Sequence, residues 1–193
     1  IKKLVEKKAK IIIISHLGRP KGTRVPELSL MPVYKYLKKS IQTKVYFFMG
    51  NLDDEVQDKF SHLKEGEIIL LENIRYFEEE SNNDENFSKK LGSLGDIYIN
   101  DAFSCSHRKQ ASIHNITKFV KYSYAGPLLK KEVEAINFVI QNKKKPVTCI
   151  IGGSKISTKI NVISTLIKKV NNLIIVGAMA NNFFIYKNLK VGK

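Results

Sequence analysis

Short aliphatic runs alternate with longer amphipathic stretches along this chain. Lys10–Ile14, Lys44–Phe48, Glu67–Leu71, Asp96–Ile99, Val147–Ile151 and Leu173–Val176 are apolar runs of strand length, the pattern of strands covered on both faces in a parallel sheet. Between them, Leu30–Ile41, Asp53–Leu63, Asn83–Leu91 and Ile156–Val170 repeat apolar residues at helical spacing, with Asp53 and Asp84 placed as N-caps. This β-then-α rhythm predicts right-handed βαβ units. The expected fold class is α/β, a doubly wound parallel sheet in three Rossmann-like layers. No internal repeat or low-complexity segment interrupts it.

One further amphipathic helix, Leu128–Asn142, runs into Lys143–Lys144–Lys145–Pro146, where proline forbids continuation. A new strand–loop–helix series starts at Val147. The expected organisation is therefore a first α/β domain over residues 1–126, a connecting helix over 127–145, and the beginning of a second α/β domain over 146–193. The second unit shows only two strands and reads as truncated. The first also reads as starting late, since Ile1 falls partway into an amphipathic pattern.

Composition narrows the class without changing the fold. A hydrophobic fraction of 43% with 26% charged residues in 193 residues suits a globular chain. The longest aliphatic run, Ile11–Ile14, is far short of the roughly 20 residues a membrane helix needs, so no membrane role is expected. The opening does not read as a secretory signal. Cys105 and Cys149 offer neither a disulfide framework nor a paired-cysteine metal site, which fits a reducing, cytoplasmic setting.

Charge adds more. Lys and Arg total 33 against 18 Asp and Glu, a formal net charge of +15. Residues 1–110 carry 19 cations and 16 anions, whereas 111–193 carry 14 cations and only Glu132 and Glu134. Such an excess raises anionic ligands and nucleic acid as partners. Twenty-nine of the cations are Lys, however, and Ile and Asn are abundant, as drift in an AT-rich genome would produce. The cations are scattered over helical faces with no nucleic-acid-binding motif and no Trp, which argues against a nucleic-acid binder. Against this background the four Arg, at 19, 24, 75 and 108, stand out, because a guanidinium fork grips carboxylate or phosphate bidentately where an ammonium is only a point charge.

Five loops follow strand ends, where open parallel sheets bind ligands. Ser15-His16-Leu17-Gly18-Arg19-Pro20-Lys21-Gly22 offers His16 and Arg19 beside a flexible Gly18 and a stiff Pro20. Glu72-Asn73-Ile74-Arg75-Tyr76 and Asp101-Ala102-Phe103-Ser104-Cys105-Ser106-His107-Arg108 supply Arg75 and Arg108. Together these three describe a basic bowl for a small anion; each alone could be an ordinary turn. Ile151-Gly152-Gly153-Ser154-Lys155-Ile156-Ser157-Thr158-Lys159 ends a strand in Gly-Gly and opens a helix with Lys155 and Lys159 one turn apart, a setting that favours phosphate. It is not a Walker A loop, and no G-x-G-x-x-G occurs. Val176-Gly177-Ala178-Met179-Ala180 repeats the strand-to-small-residue turn.

The ordered set SHLGRPKG, LLENIRYFEEE, LGDIYINDAF, SHRKQAS, AGPLLKKEVEAI, IIGGSKISTKI and LIIVGAMANNFF resembles the phosphoglycerate kinase family over essentially the whole chain. The resemblance implies two doubly wound domains facing across a cleft. The first holds 3-phosphoglycerate and the second the Mg2+-bound ATP or ADP. It implies glycolytic phosphoryl transfer from 1,3-bisphosphoglycerate to ADP by a monomeric cytoplasmic kinase. Carried over residue by residue, it assigns His16, Leu17, Gly18, Arg19, Arg75 and Arg108 to the substrate. Gly152, Gly153, Lys155, Lys159 and Gly177 go to the nucleotide, with Lys159 on its phosphates as the catalytic charge stabiliser. No metal ligand is identifiable; Mg2+ would come with the nucleotide.

The chain also departs from the family pattern. The family's first strand and a catalytic Arg are expected before Ile1, and most of the nucleotide domain after Lys193. Ser104 and Ala178 stand where the family usually has Gly. The expectation is a fragment without turnover of its own, with a non-catalytic remnant as the alternative reading.

Overall fold

The computed structural model describes residues 1–52, 56–141 and 144–192. The expected cap at Asp53, the end of the connecting helix at Asn142, and Lys143 lie outside the described residues. The chain divides into two compact units, Ile1–Glu132 and Val133–Lys193.

In the first unit the order is α1 (Lys2–Glu6), β1 (Ile11–Ile13), α2 (Met31–Ser40), β2 (Val45–Phe48), α3 (Val56–Ser61), β3 (Ile68–Leu71), α4 (Glu78–Asn82), α5 (Glu85–Gly92), β4 (Ile97–Asn100) and β5 (Tyr122–Ala125), with α6 (Pro127–Gln141) crossing into the second. β1, β3 and β2 form a parallel sheet in that spatial order, Ile68 of β3 lying level with both Ile11 and Val45. β4 and β5 pair in parallel, Ile97 level with Tyr122.

The all-aliphatic sequence of β3 explains its central place, because all four residues are buried and successive side chains enter opposite layers. Ile69 and Leu71 join Val56, Phe60, Phe87, Leu91 and Ile116 on one face, with Ile12, Ile14 and Tyr98 packed against them. Ile68 joins Ile11 and Val45 on the other face, covered by Val5 from α1 and by Tyr34 and Leu37 from α2. This helix–sheet–helix layering is the expected α/β architecture.

The second unit pairs β6 (Thr148–Gly152) with β7 (Asn172–Val176) in parallel, joined through α7 (Ile160–Ile167) and followed by α8 (Ala180–Tyr186). Ile163 of α7 and Met179 before α8 are buried.

Several boundaries differ from the sequence pattern for local reasons. The helix expected over Asn83–Leu91 begins at Glu85, because Asn83 is left-handed at φ 55° and Asp84 accepts the N–H of Phe87 at 2.7 Å as its cap. The five residues before Asn83 form α4, which the pattern did not announce. The helix expected from Ile156 starts instead at Ile160. Residues 156–159 close a tight turn in which Lys159 N–H donates to the Ile156 carbonyl at 2.8 Å, so Lys155 lies in the loop and Lys159 sits at the N-cap position. β5 was unforeseen because its four residues, Tyr-Ser-Tyr-Ala, are all exposed and carry no aliphatic run.

Candidate functional site

The carboxyl end of β3 organises the first unit's loops. Directly after its apolar run come Glu72 and Asn73, two polar residues that the fold buries completely enough to use every side-chain oxygen. The Glu72 carboxylate accepts the N–H of Leu30 at 2.7 Å, the Ser29 hydroxyl at 2.7 Å and the Asn73 N–H at 2.8 Å. Asn73 is 0% exposed; its amide donates to the carbonyls of Leu17 and Leu28, both at 2.8 Å, and its oxygen accepts the Arg75 N–H at 3.1 Å. Among the described residues no buried side-chain N or O lacks a partner. This satisfaction matters, because a buried polar group left unpaired costs about 1–3 kcal/mol.

The result is a stitched loop. Ser15 accepts the Ile74 N–H at 3.1 Å, Gly18 accepts a guanidinium N–H of Arg75 at 2.8 Å, and Gly22 donates to the Arg75 carbonyl at 3.2 Å. Gly18 sits at φ +63°, a left-handed conformation that favours glycine, and a Cβ there would have to displace a Leu28 methyl 2.6 Å away. Asn73 is thus the residue the sequence pattern passes over. Its one signal is that a short amide immediately follows an unbroken apolar strand.

The same framework collects the cations. His16 follows β1, Arg75 follows β3 and Arg108 lies in the loop after β4. Burial lowers the His16 imidazole's affinity for a proton, and the charges of Arg75 and Arg108 lower it further. Arg75 is buried and pushed down in turn by burial and by Arg108, with a smaller push from Arg19. His16, Arg75 and Arg108 therefore lie within electrostatic reach of one another, and Arg19 within reach of Arg75, in the loops after β1, β3 and β4. Leu17, Gly18 and Arg19 are exposed, and His16 and Arg108 are half-buried. Arg24 is outside this group; its guanidinium is spent on the Met49 carbonyl at 2.8 Å and on Asn51 at 3.3 Å.

In the second unit the loops after β6 and β7 lie side by side. Met179 N–H donates to the Gly153 carbonyl at 2.9 Å, and a Cβ on Gly152 would meet the Val176 side chain at 2.8 Å. Gly177 is left-handed at φ +71°, against the backbone of Gly153. The Lys159 side chain folds back over the same place, its ammonium 3.1 Å from where a Gly153 Cβ would stand. Gly152, Gly153, Lys159 and Gly177 thus form one patch, whereas Lys155 is exposed in the loop. Neither Ser104 nor Ala178 has a positive φ, so replacing glycine there introduces no backbone strain.

The chain is thus of the parallel α/β class, with cations gathered at one set of strand ends and a glycine-lined lysine at another, the places where open sheets of this class take ligands. The comparisons give the family. The profile described as phosphoglycerate kinase matches residues 1–193, and the chain belongs to that family. It is 49% identical over 193 residues to "Phosphoglycerate kinase" of Wolbachia pipientis wMel, covering 100% of this chain and 48% of the relative. It is 44% identical to "Phosphoglycerate kinase, cytosolic" of Triticum aestivum, again covering 48% of the relative. Among solved structures, phosphoglycerate kinase from Coxiella burnetii matches with TM-score 0.80 and 37% identity, covering 99% of this chain and 48% of that one. The enzyme from Pyrococcus horikoshii OT3 matches with TM-score 0.82 and 25% identity. The chain spans about half the length of the relatives it matches.

Proposed function

We propose that this chain carries the 3-phosphoglycerate site and part of the nucleotide-phosphate site of a glycolytic phosphoglycerate kinase. The observation that carries the reading is the convergence of His16, Arg19, Arg75 and Arg108 on a loop stitched to the end of β3, in a member of this family. Arg19 and Arg108 grip the substrate's phosphate or carboxylate. Arg75 fixes the loop through the Gly18 carbonyl and adds its charge. Burial first, then the charges of Arg75 and Arg108, hold the His16 proton affinity below the ordinary range, and His16 serves to bind substrate without being needed as a base.

In the reaction, an oxygen of the ADP β-phosphate bonds to the acyl phosphorus of 1,3-bisphosphoglycerate. The P–O bond to the carboxyl group breaks, and the carboxylate leaves with the electron pair. Such a transfer asks for positioning and charge neutralisation more than covalent help. Lys159, held over Gly153, neutralises nucleotide phosphate charge, while Gly152 and Gly177 leave room for close backbone approach. Among the described residues no group of three or more His, Cys, Asp or Glu could hold a metal ion; Mg2+ would come with the nucleotide, where its charge would add to that of Lys159 on the phosphates. A cytoplasmic setting completes the reading; it is supported by the wheat relative's description as cytosolic. Among the described residues no helix is long and apolar enough to cross a membrane.

Separate calorimetric titrations of 3-phosphoglycerate and of Mg2+-ADP test this. Arg108→Lys should weaken 3-phosphoglycerate by about 1.5–3 kcal/mol, the scale of a hydrogen bond to a charged group, and leave ADP unchanged. Lys159→Ala should do the reverse. Lys21→Ala, at an exposed position beyond Pro20, should change neither. Equal losses from Arg108→Lys and Lys21→Ala would reduce the site to diffuse charge.

A further inference from the structure

Three segments around the cation cluster meet on one side-chain amide. Asn73 Nδ2 donates to the Leu17 carbonyl, one residue after His16, and to the Leu28 carbonyl, each at 2.8 Å. Its Oδ1 accepts the Arg75 N–H at 3.1 Å. A planar amide has two donors and an acceptor at fixed angles, so serving all three partners sets three directions at once. Asn73 is 0% exposed, and water cannot take over any of these bonds.

The loop after β1 is held differently at its ends and in its middle. Ser15 and Gly22 are tied to Ile74 and Arg75 through the backbone, and a change of side chain at position 73 leaves those bonds available. Between them, only side chains reach the loop: Asn73 holds the Leu17 carbonyl and the Arg75 guanidinium holds the Gly18 carbonyl at 2.8 Å. An arriving anion draws on that same guanidinium. The Asn73 bond to Leu17 involves no charged group, so it stays in place when Arg75 turns to a ligand.

We propose that Asn73 is a positioning residue of the 3-phosphoglycerate site: its amide holds the His16–Arg19 loop against the Arg75 turn, so that the cations are in place before the anion arrives. This rests on reading the cluster as that substrate's site. Asn73 itself acts only through the residues it holds.

The test is a calorimetric titration of 3-phosphoglycerate into the wild-type chain, Asn73→Leu, Asn73→Ser and Leu91→Ala, at a temperature where circular dichroism shows the proteins folded. Leucine has a similar volume and makes none of the three bonds, so binding should weaken by about tenfold or more. Serine brings one O–H donor for two carbonyls and should weaken binding by about threefold or more, which keeps the test open should Asn73→Leu fail to fold. Leu91→Ala opens a cavity in the α5 core and controls for lost stability alone; its affinity should stay within about twofold of wild type. The second readout is the His16 imidazole, titrated by NMR and assigned with His16→Gln. Its proton affinity lies below the ordinary value in the wild type. It should rise toward that value in the Asn73 variants, as the loop leaves its buried place, and stay put in Leu91→Ala. Wild-type affinity in Asn73→Ser, equal losses in Asn73→Ser and Leu91→Ala, or an unmoved His16 in the Asn73 variants overturns the proposal. A wild-type chain that binds no 3-phosphoglycerate while Asn73→Ser still moves His16 overturns the substrate reading of the cluster and supports Asn73 as the anchor of the loop.

Discussion

At the scale of single residues, His16 couples the site to pH. Its folded proton affinity lies below the ordinary value of 6.5, first through burial and then through Arg75 and Arg108. The unfolded chain therefore binds more protons near that pH, and stability rises with pH. The contribution is complete above about 6.5 and is lost as pH falls through the lowered folded value. Thermal melts should show the wild-type chain losing more stability between about pH 7.5 and pH 5 than His16→Gln does. Sulfate should recover part of that loss in the wild type alone, since an anion beside the imidazole favours its charged form. Identical pH slopes in both proteins would remove His16 from the cluster.

At the scale of elements, the junction of α4 and α5 connects local capping to the site. Asn83 takes the left-handed conformation that ends α4, and Asp84 caps α5. Asn83 also holds Asn115, accepting its N–H at 3.3 Å and its amide at 2.7 Å, close to Ser112, which the Glu80 carboxylate grips four residues after Arg108. Asp84→Ala should cost about 0.5–2 kcal/mol in urea unfolding, the usual range for a lost cap. Asn83→Val should cost more, because a β-branched residue resists positive φ and the bond from the Asn115 N–H to the Asn83 side-chain oxygen goes with it. A smaller loss at Asn83 than at Asp84 would show that α4 and α5 are joined more loosely than these bonds imply.

At the scale of the molecule, apolar surface is distributed unevenly. Ile97 and Ile99 of β4 are 56% and 44% exposed, and they lie level with Tyr122 and Tyr124 of β5, also exposed. Parallel register puts all four on one face, opposite Tyr98 and the buried core. A contiguous apolar face of this kind recruits other apolar surface. The chain should bind a hydrophobic dye and sediment in a concentration-dependent way, and replacing Ile97 and Ile99 together by Thr should reduce both effects. Unchanged dye binding in that variant would place the exposed surface elsewhere, with α6 the next face to examine, since Ile136, Phe138 and Val139 are exposed there.

The elements legible from the residues alone are those whose cause is local. An aliphatic run of strand length such as Ile68–Leu71, bounded by polar residues, reads as a buried strand, and a polar–apolar helix period or an Asp84 cap acts over a few residues. The Arg and His positions after strand ends were legible for the same reason, since the chain must turn there and turns face solvent. The tertiary structure alone decided how those groups are held. Asn73 reaches Leu17 across 56 residues, and Glu80 reaches Ser112 across 32. Neither pairing has a local signal, because an amide or a carboxylate finds its partner only after the sheet has brought the loops together. Burial then makes each of those bonds costly to lose.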